Sequence, residues 1–242
     1  GESYSVVKSP ATVDFTVKES GRNVRLQSSG LRVDVNTVTG DVSFYKPAGG
    51  LLLTEQGMSM TVTDDAGEKA YKVKQGFRLD KDEPVYGNGN LSQRGVNRKL
   101  MPGNIEDGIP VFVSVKGYGV IWDNYSPTDF IDNGRETAFE SEVAQGIDYY
   151  FIYGKNMDGV VAGMRHLTGD VPMFPLWTYG FWQSRERYKS QDEITGVVNK
   201  YREIGVPLDG IIQDWQYWGD NYLWNAMEFM SPEFTDPQKM LD

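Results

Sequence analysis

The sequence predicts a mainly β protein: a β-sandwich of roughly 150 residues, followed by the first elements of a parallel β/α unit. Three observations carry that expectation. Apolar and polar residues alternate with period two from about Tyr4 to Tyr153, in short stretches separated by Gly, Asn, Asp and Pro. Beyond Tyr153 the apolar residues recur at helical spacing. Closer to the end of the chain a strand, an amphipathic helix and a second strand follow one another with short loops.

Taken in order, Leu31, Val33 and Val35 alternate with Arg32 and Asp34, a turn follows at Val38-Thr39-Gly40-Asp41, and Val42 and Phe44 resume the alternation. This predicts a hairpin, because Gly takes the positive φ that a tight turn requires. Further strands are expected at Met58–Val62, Tyr71–Val73, Gly76–Leu79, Ile109–Val115, Gly119–Trp122 and Ile147–Ile152. Val160, Val161, Met164 and Leu167 then mark a short helix ending near Thr168-Gly169. Pro172 and Pro175 punctuate a linker, and Trp177–Trp182 reads as a strand-like aromatic run. Ser190-Gln191-Asp192-Glu193 fits a capping box, in which the Ser hydroxyl and the Glu carboxylate satisfy free N–H groups at a helix start. Ile194, Val197, Val198, Tyr201 and Ile204 form the buried stripe of that helix, and Gly205 with Val206-Pro207 ends it. Gly210-Ile211-Ile212-Gln213 is a buried strand stopping at Asp214. Thr235-Asp236-Pro237 opens another helix, with Asp236 as N-cap. Two parallel strands need a larger sheet around them, so the chain is expected to be part of a longer protein, or one of two companion chains.

Composition limits the chemistry. The 24 Lys and Arg against 34 Asp and Glu give a net charge of −10, and no stretch gathers a basic face, which argues against a nucleic-acid or anionic-membrane partner. No apolar run approaches the roughly 18 to 20 residues that span a bilayer. Zero cysteines and the single His166 exclude thiol catalysis, a Ser/His pair and Cys-ligated or two-His metal sites. Acid–base work therefore falls to carboxylates, and neither a metal nor an organic cofactor is implied. A cysteine-free chain suits a periplasmic or extracellular location better than a cytoplasmic one, although many cytosolic proteins lack cysteine as well.

Two segments carry candidate chemistry. Trp177-Thr178-Tyr179-Gly180-Phe181-Trp182-Gln183-Ser184-Arg185-Glu186-Arg187-Tyr188 is coupled, across the helix, to Ile211-Ile212-Gln213-Asp214-Trp215-Gln216-Tyr217-Trp218-Gly219. In a parallel β/α barrel, strand ends open into the active-site mouth, which would present Asp214 and its aromatic neighbours there. Aromatic faces with a lone carboxylate suit a sugar, whose C–H faces pack on the rings while its vicinal hydroxyls donate to the carboxylate. The same residues would equally serve as core tryptophans beside a loop-capping Asp. The second segment is the polar loop from Arg94 to Gly108, containing Asn104, which is long for a hairpin connection; a solvated connection is its plainer reading. His166 suits the negative end of its helix, and Gly87-Asn88-Gly89-Asn90 lacks the spacing and the following helix of a phosphate loop.

The ordered set Arg94-Gly95, Asn104, Ile109-Pro110, Lys116-Gly117-Tyr118-Gly119, Trp122-Asp123-Asn124, Leu167-Thr168-Gly169, Pro175-Leu176-Trp177, Gly180–Tyr188 and Gln213-Asp214-Trp215 resembles glycoside hydrolase family 31, most of all its bacterial α-xylosidases acting on xyloglucan fragments. The resemblance implies an amino-terminal β-sandwich at 1–155, a helical linker at 156–176 and, at 177–242, the start of a truncated (β/α)8 barrel. It also implies a retaining exo-α-glycosidase that uses two carboxylates about 5–5.5 Å apart, both on later barrel strands and thus beyond Asp242. The partners expected are an oligosaccharide substrate and the remainder of the barrel. Asp214 matches the family aspartate that grips hydroxyls of the terminal sugar, and Trp215 and Gln216 match the wall near C5. Trp182 and Trp218 add aromatic surface, and Asn104 aligns loosely with the aglycone side. An α-glucosidase of the same family, or a non-catalytic sugar-binding sandwich, are the alternative readings.

Overall fold

Short β-branched and aromatic runs become strands throughout the first of two units, Gly1–Asp170. The computed structural model describes residues 3–9, 11–89, 98–99, 108–224 and 226–242. In chain order the strands of this unit are β1 (Phe15–Ser20), β2 (Asn23–Ser28), β3 (Arg32–Asn36), β4 (Val42–Tyr45), β5 (Leu51–Asp65), β6 (Glu68–Arg78), β7 (Val85–Gly87), β8 (Arg98–Lys99), β9 (Val111–Ser114), β10 (Tyr118–Trp122), β11 (Thr128–Asp132), β12 (Thr137–Ala144) and β13 (Tyr149–Tyr153), followed by helix α1 (Met157–Thr168). One sheet runs β1-β2-β3-β4-β5-β6-β12-β11-β8 and the other β13-β10-β9-β7, with antiparallel pairing throughout.

The expected hairpin is β3–β4, with Val33 opposite Phe44. Gly40 sits at φ 83° in its turn, and Asn36 Oδ1 accepts from the N–H groups of Val38 and Thr39 at 2.9 and 3.2 Å. Elsewhere the strands are longer than the sequence suggested. Met58–Val62 lies inside the 15-residue β5, and Tyr71–Val73 and Gly76–Leu79 merge into the single strand β6. Gly76 faces a bulge in β5 between Glu55 and Met58, where a Cβ would stand 2.2 Å from the Gln56 carbonyl oxygen.

The core lies between the two sheets. Phe44, Leu53, Val73, Phe77 and Phe139 of the larger sheet meet Phe112, Tyr118, Val120 and Trp122 of the smaller. Trp122 stacks on Phe139 with ring centroids 5.4 Å apart, and its indole N–H donates to Ser141 Oγ at 2.9 Å, so this polar group is buried with a partner. Val111, Val113 and Ile121 point the other way, into helix α1 at Val160. Burial on both faces explains why Val111–Ser114 shows no alternation, whereas Ile109 and Val115, which extended the apolar run in the sequence, lie outside the strand and are exposed. Helix α1 starts where Asn156 Oδ1 accepts from Gly159 N at 2.8 Å and stops, as expected, at Gly169.

One buried carboxylate is built into this sandwich. The Glu83 side chain is 1% exposed; it accepts from Ser114 Oγ at 2.5 Å, Tyr118 OH at 2.6 Å and Asp80 N at 3.1 Å, and pairs with Lys116 Nζ at 2.7 Å. Burial pushes its carboxyl up, but the hydrogen bonds from Lys116, Ser114, Tyr118 and the Asp80 backbone outweigh it and hold the group below the usual glutamate value.

The second unit, Val171–Asp242, holds a 3-10 turn (Leu176–Tyr179), β14 (Trp182–Arg185), α2 (Gln191–Glu203), β15 (Gly210–Gln213), a second 3-10 turn (Asn221–Leu223) and α3 (Pro237–Leu241). The run Trp177–Trp182 is therefore not a strand. Thr178 N–H donates to the Pro175 carbonyl and Gly180 N–H to that of Trp177, both at 3.1 Å, which curls the segment until β14 begins at Trp182. Ser190 caps α2, its Oγ accepting from Glu193 N at 3.1 Å, but the Glu193 carboxylate reaches Lys189 N at 2.5 Å instead of closing the box on Ser190. Asp236 caps α3 by accepting from Lys239 N at 3.2 Å. Among the described residues no helix is long and apolar enough to cross a membrane.

Candidate functional site

Strands β14 and β15 pair in parallel in the register Trp182↔Gly210 through Arg185↔Gln213. Helix α2 connects them, and Ile194 with partly buried Val197 and Ile211 joins the cluster that includes Tyr188 and Phe234. The carboxyl ends of the two strands therefore lie side by side, and the residues that leave them share one end of the sheet. These are Glu186, Arg187 and Tyr188 after β14, and Asp214, Trp215 and Gln216 after β15.

Asp214 is exposed at that end, and among the described residues its carboxylate has neither a hydrogen bond nor an ion pair. Trp215 and Trp218 both contact Trp224, at centroid separations of 5.1 and 6.4 Å, so the structure brings Asp214 and these two tryptophans into one short stretch of folded chain. Trp218 is 5% exposed, which makes it chiefly a floor for the others. The indole N–H groups of Trp215 and Trp218, the Tyr188 hydroxyl and Gln213 Oε1 are buried without a partner among the described residues. Gln213 Nε2 is occupied, donating to the carbonyls of Tyr188 and Trp215 at 3.2 and 3.1 Å.

Gln216 has φ 63°, a left-handed conformation unusual for a residue with a Cβ. Its carbonyl accepts from Gly219 N at 3.1 Å, its side-chain Oε1 accepts from Arg187 Nη1, and its Nε2 donates to Asn221 Oδ1. Arg187 stands within a motif the sequence had singled out, though not for this role. Asn221 carried no signal in the sequence, because only the turn after Gly219 brings it back.

Trp182 is placed elsewhere. It opens β14 opposite Gly210, three residues, or about 10 Å of strand, from the end that carries Asp214. Its ring lies over Gly210, where a Cβ would come within 2.5 Å of it, and beside Trp177 at 5.4 Å. Asn104, with Arg94 and Gly95, lies outside the described residues.

A parallel β/α start with a free carboxylate and indoles at its strand ends is the arrangement by which β/α barrels present side chains at their mouths. Residues 171–242 match the family model of the glycosyl hydrolases family 31 TIM-barrel domain. The chain is 40% identical over 233 residues to an α-xylosidase of Saccharolobus solfataricus, covering 90% of this chain and 32% of that protein. It is 30% identical to α-glucosidase 2 of Bacillus thermoamyloliquefaciens, over 89% of this chain and 29% of that one. The crystal structure of a family 31 α-xylosidase from Xanthomonas citri superposes with a TM-score of 0.87 at 25% identity, over 99% of this chain and 43% of that chain. The resemblance read from the sequence therefore holds: the chain is similar to glycoside hydrolase family 31 proteins and corresponds to the amino-terminal part of longer relatives. It spans about a third of the length of the curated relatives it matches.

Proposed function

We propose that the chain is the amino-terminal part of a retaining exo-α-glycosidase that releases terminal α-linked xylose from oligosaccharides such as xyloglucan fragments. The observation that carries this reading is Asp214, a carboxylate with no partner among the described residues, at the carboxyl end of a parallel strand and followed directly by Trp215 and Gln216. Asp214 accepts hydrogen bonds from sugar hydroxyls, Trp215 and Gln216 wall the C5 side, and Trp218 backs that wall. Trp182, at the far end of its strand, contributes packing at the base of the barrel. Asn104 keeps its assignment to the aglycone side through the family resemblance alone. A periplasmic or extracellular location accords with the absence of cysteine.

On this reading the attacking carboxylate and the proton donor come from later barrel strands, in the remainder of the barrel after residue 242. Residues 1–242 alone then hydrolyse neither an aryl α-xyloside nor an aryl α-glucoside; turnover of either by the purified chain, with contaminating hydrolase excluded, contradicts the assignment.

Xylose lacks the hydroxymethyl group that glucose carries at C5, so an indole wall rejects glucose by overlap. In the complete protein, Trp215→Ile with Gln216→Asp should open room and supply an acceptor, shifting relative kcat/KM toward the α-glucoside by about 10- to 200-fold. An unchanged ratio in the double variant removes Trp215 and Gln216 from the specificity wall.

A further inference from the structure

Gln216 is a polar residue where the proposed pocket needs a wall, and a free terminal amide there would welcome a sugar hydroxyl. The structure gives it no such freedom. Its backbone is held left-handed at φ 63°, a strain that marks a position fixed by its surroundings. Each end of its amide is anchored: Oε1 accepts from the Arg187 guanidinium, and Nε2 donates one N–H to Asn221 Oδ1, so the remaining N–H and lone pair point in directions the two anchors set. Arg187 offers only donors and Asn221 Oδ1 only an acceptor, so turning the amide over would set N–H against N–H and oxygen against oxygen. The two anchors therefore fix the amide's direction as well as its place. Each is itself set by local structure. Arg187 is half-buried and, among the described residues, has no carboxylate partner, so Gln216 is its recipient. Asn221 opens a 3-10 turn capped by Asp220, whose Oδ1 accepts from Tyr222 N at 2.8 Å.

We propose that Arg187 and Asn221 are positioning residues that lock the Gln216 amide, so that it stands as a fixed wall beside the sugar's C5 and cannot turn to meet a hydroxymethyl group. The proposal rests on the reading of Asp214–Gln216 as the sugar-binding wall and deepens it: discrimination against glucose comes from overlap with Trp215 and also from a hydroxyl left without a partner. A buried hydroxyl so stranded weakens binding, whereas xylose brings no hydroxyl to that position. Freeing the amide should therefore relax specificity without enlarging the pocket.

The test is a double-mutant cycle in the complete protein, read as the ratio of kcat/KM for matched aryl α-glucoside and aryl α-xyloside. Arg187→Met is expected to raise the glucoside-to-xyloside ratio about tenfold, and Asn221→Ala, at an exposed site less exposed to folding defects, to raise it in the same direction. In a Gln216→Ala background Arg187→Met should leave the ratio unchanged within about twofold. A purely structural role would lower both substrates together, with the same loss in the Gln216→Ala background. The proposal is overturned by that pattern, or by a ratio that neither Arg187→Met nor Asn221→Ala moves. If the complete protein cleaves neither glycoside, the underlying reading of the site falls and the proposal with it. If the unmodified protein cleaves both but prefers the glucoside, the xylose reading falls, and the cycle still decides whether Arg187 acts through Gln216.

Discussion

Asp214→Ala in the complete protein should lower kcat/KM for an aryl α-xyloside on the order of 10²- to 10³-fold, the loss seen when a charged hydrogen-bonding group is taken from a site that excludes water. The carboxylate has no partner among the described residues, so its removal breaks no internal bond, and stability should change by no more than about 0.5 kcal/mol. That combination separates a sugar-binding role from a structural one. Steady-state kinetics and thermal melting of the same preparation read both. Near-normal kcat/KM, or a melting loss that accounts for the kinetic loss, would make Asp214 a structural residue.

The second large effect is on stability. Glu83→Ala removes a carboxylate that is 1% exposed and leaves Ser114 Oγ and Tyr118 OH facing a space they had filled with short hydrogen bonds. Breaking one side of such a buried network costs about 3–5 kcal/mol. Lys116 keeps its contact with the exposed Asp80 carboxylate at 2.8 Å, which places the expectation near the lower end, about 3 kcal/mol. Chemical denaturation of the complete protein, followed by near-ultraviolet circular dichroism, measures it. The pH dependence follows from the lowered carboxyl of Glu83. A group held below its unfolded value adds stability that is fully present above the unfolded pKa, about 4.3, and is lost as pH falls through the folded one. The difference between the unmodified protein and Glu83→Ala should therefore shrink only as the solution is acidified below about pH 4.3; a difference that shrinks between pH 7 and 5 contradicts the network described.

About half of the sandwich strands and most of the helix ends were legible in the sequence, because local chemistry sets them, whereas β1, β2, β11 and β12 were not picked out. Gly40 turns the β3–β4 hairpin, Gly169 ends α1, and Ser190 and Asp236 cap the later helices, while the Asn156 cap of α1 emerges only in the structure. What local patterning cannot display is the partner across a sheet. Tyr71–Val73 and Gly76–Leu79 read as two strands, and only the β5 bulge opposite Gly76 supplies the reason for a missing side chain within one continuous strand. Trp177–Trp182 looked like a strand by residue type, and backbone hydrogen bonds over three residues curled it instead. The site followed the same division. Asp214, Trp215 and Gln216 could be placed at a strand end from the βαβ pattern alone, whereas Trp182 needed the parallel register to show that it stands at the opposite end. Arg187 and Asn221 meet Gln216 from 29 and 5 residues away, a convergence that no spacing rule predicts.

The proposed activity turns most directly on one comparison, kcat/KM of the complete, unmodified protein for an aryl α-xyloside against the matched aryl α-glucoside. An indole wall at Trp215 backed by a locked Gln216 predicts that the xyloside is preferred by about 10- to 200-fold; a protein that hydrolyses the glucoside faster contradicts the α-xylosidase assignment and makes it an α-glucosidase of the same family.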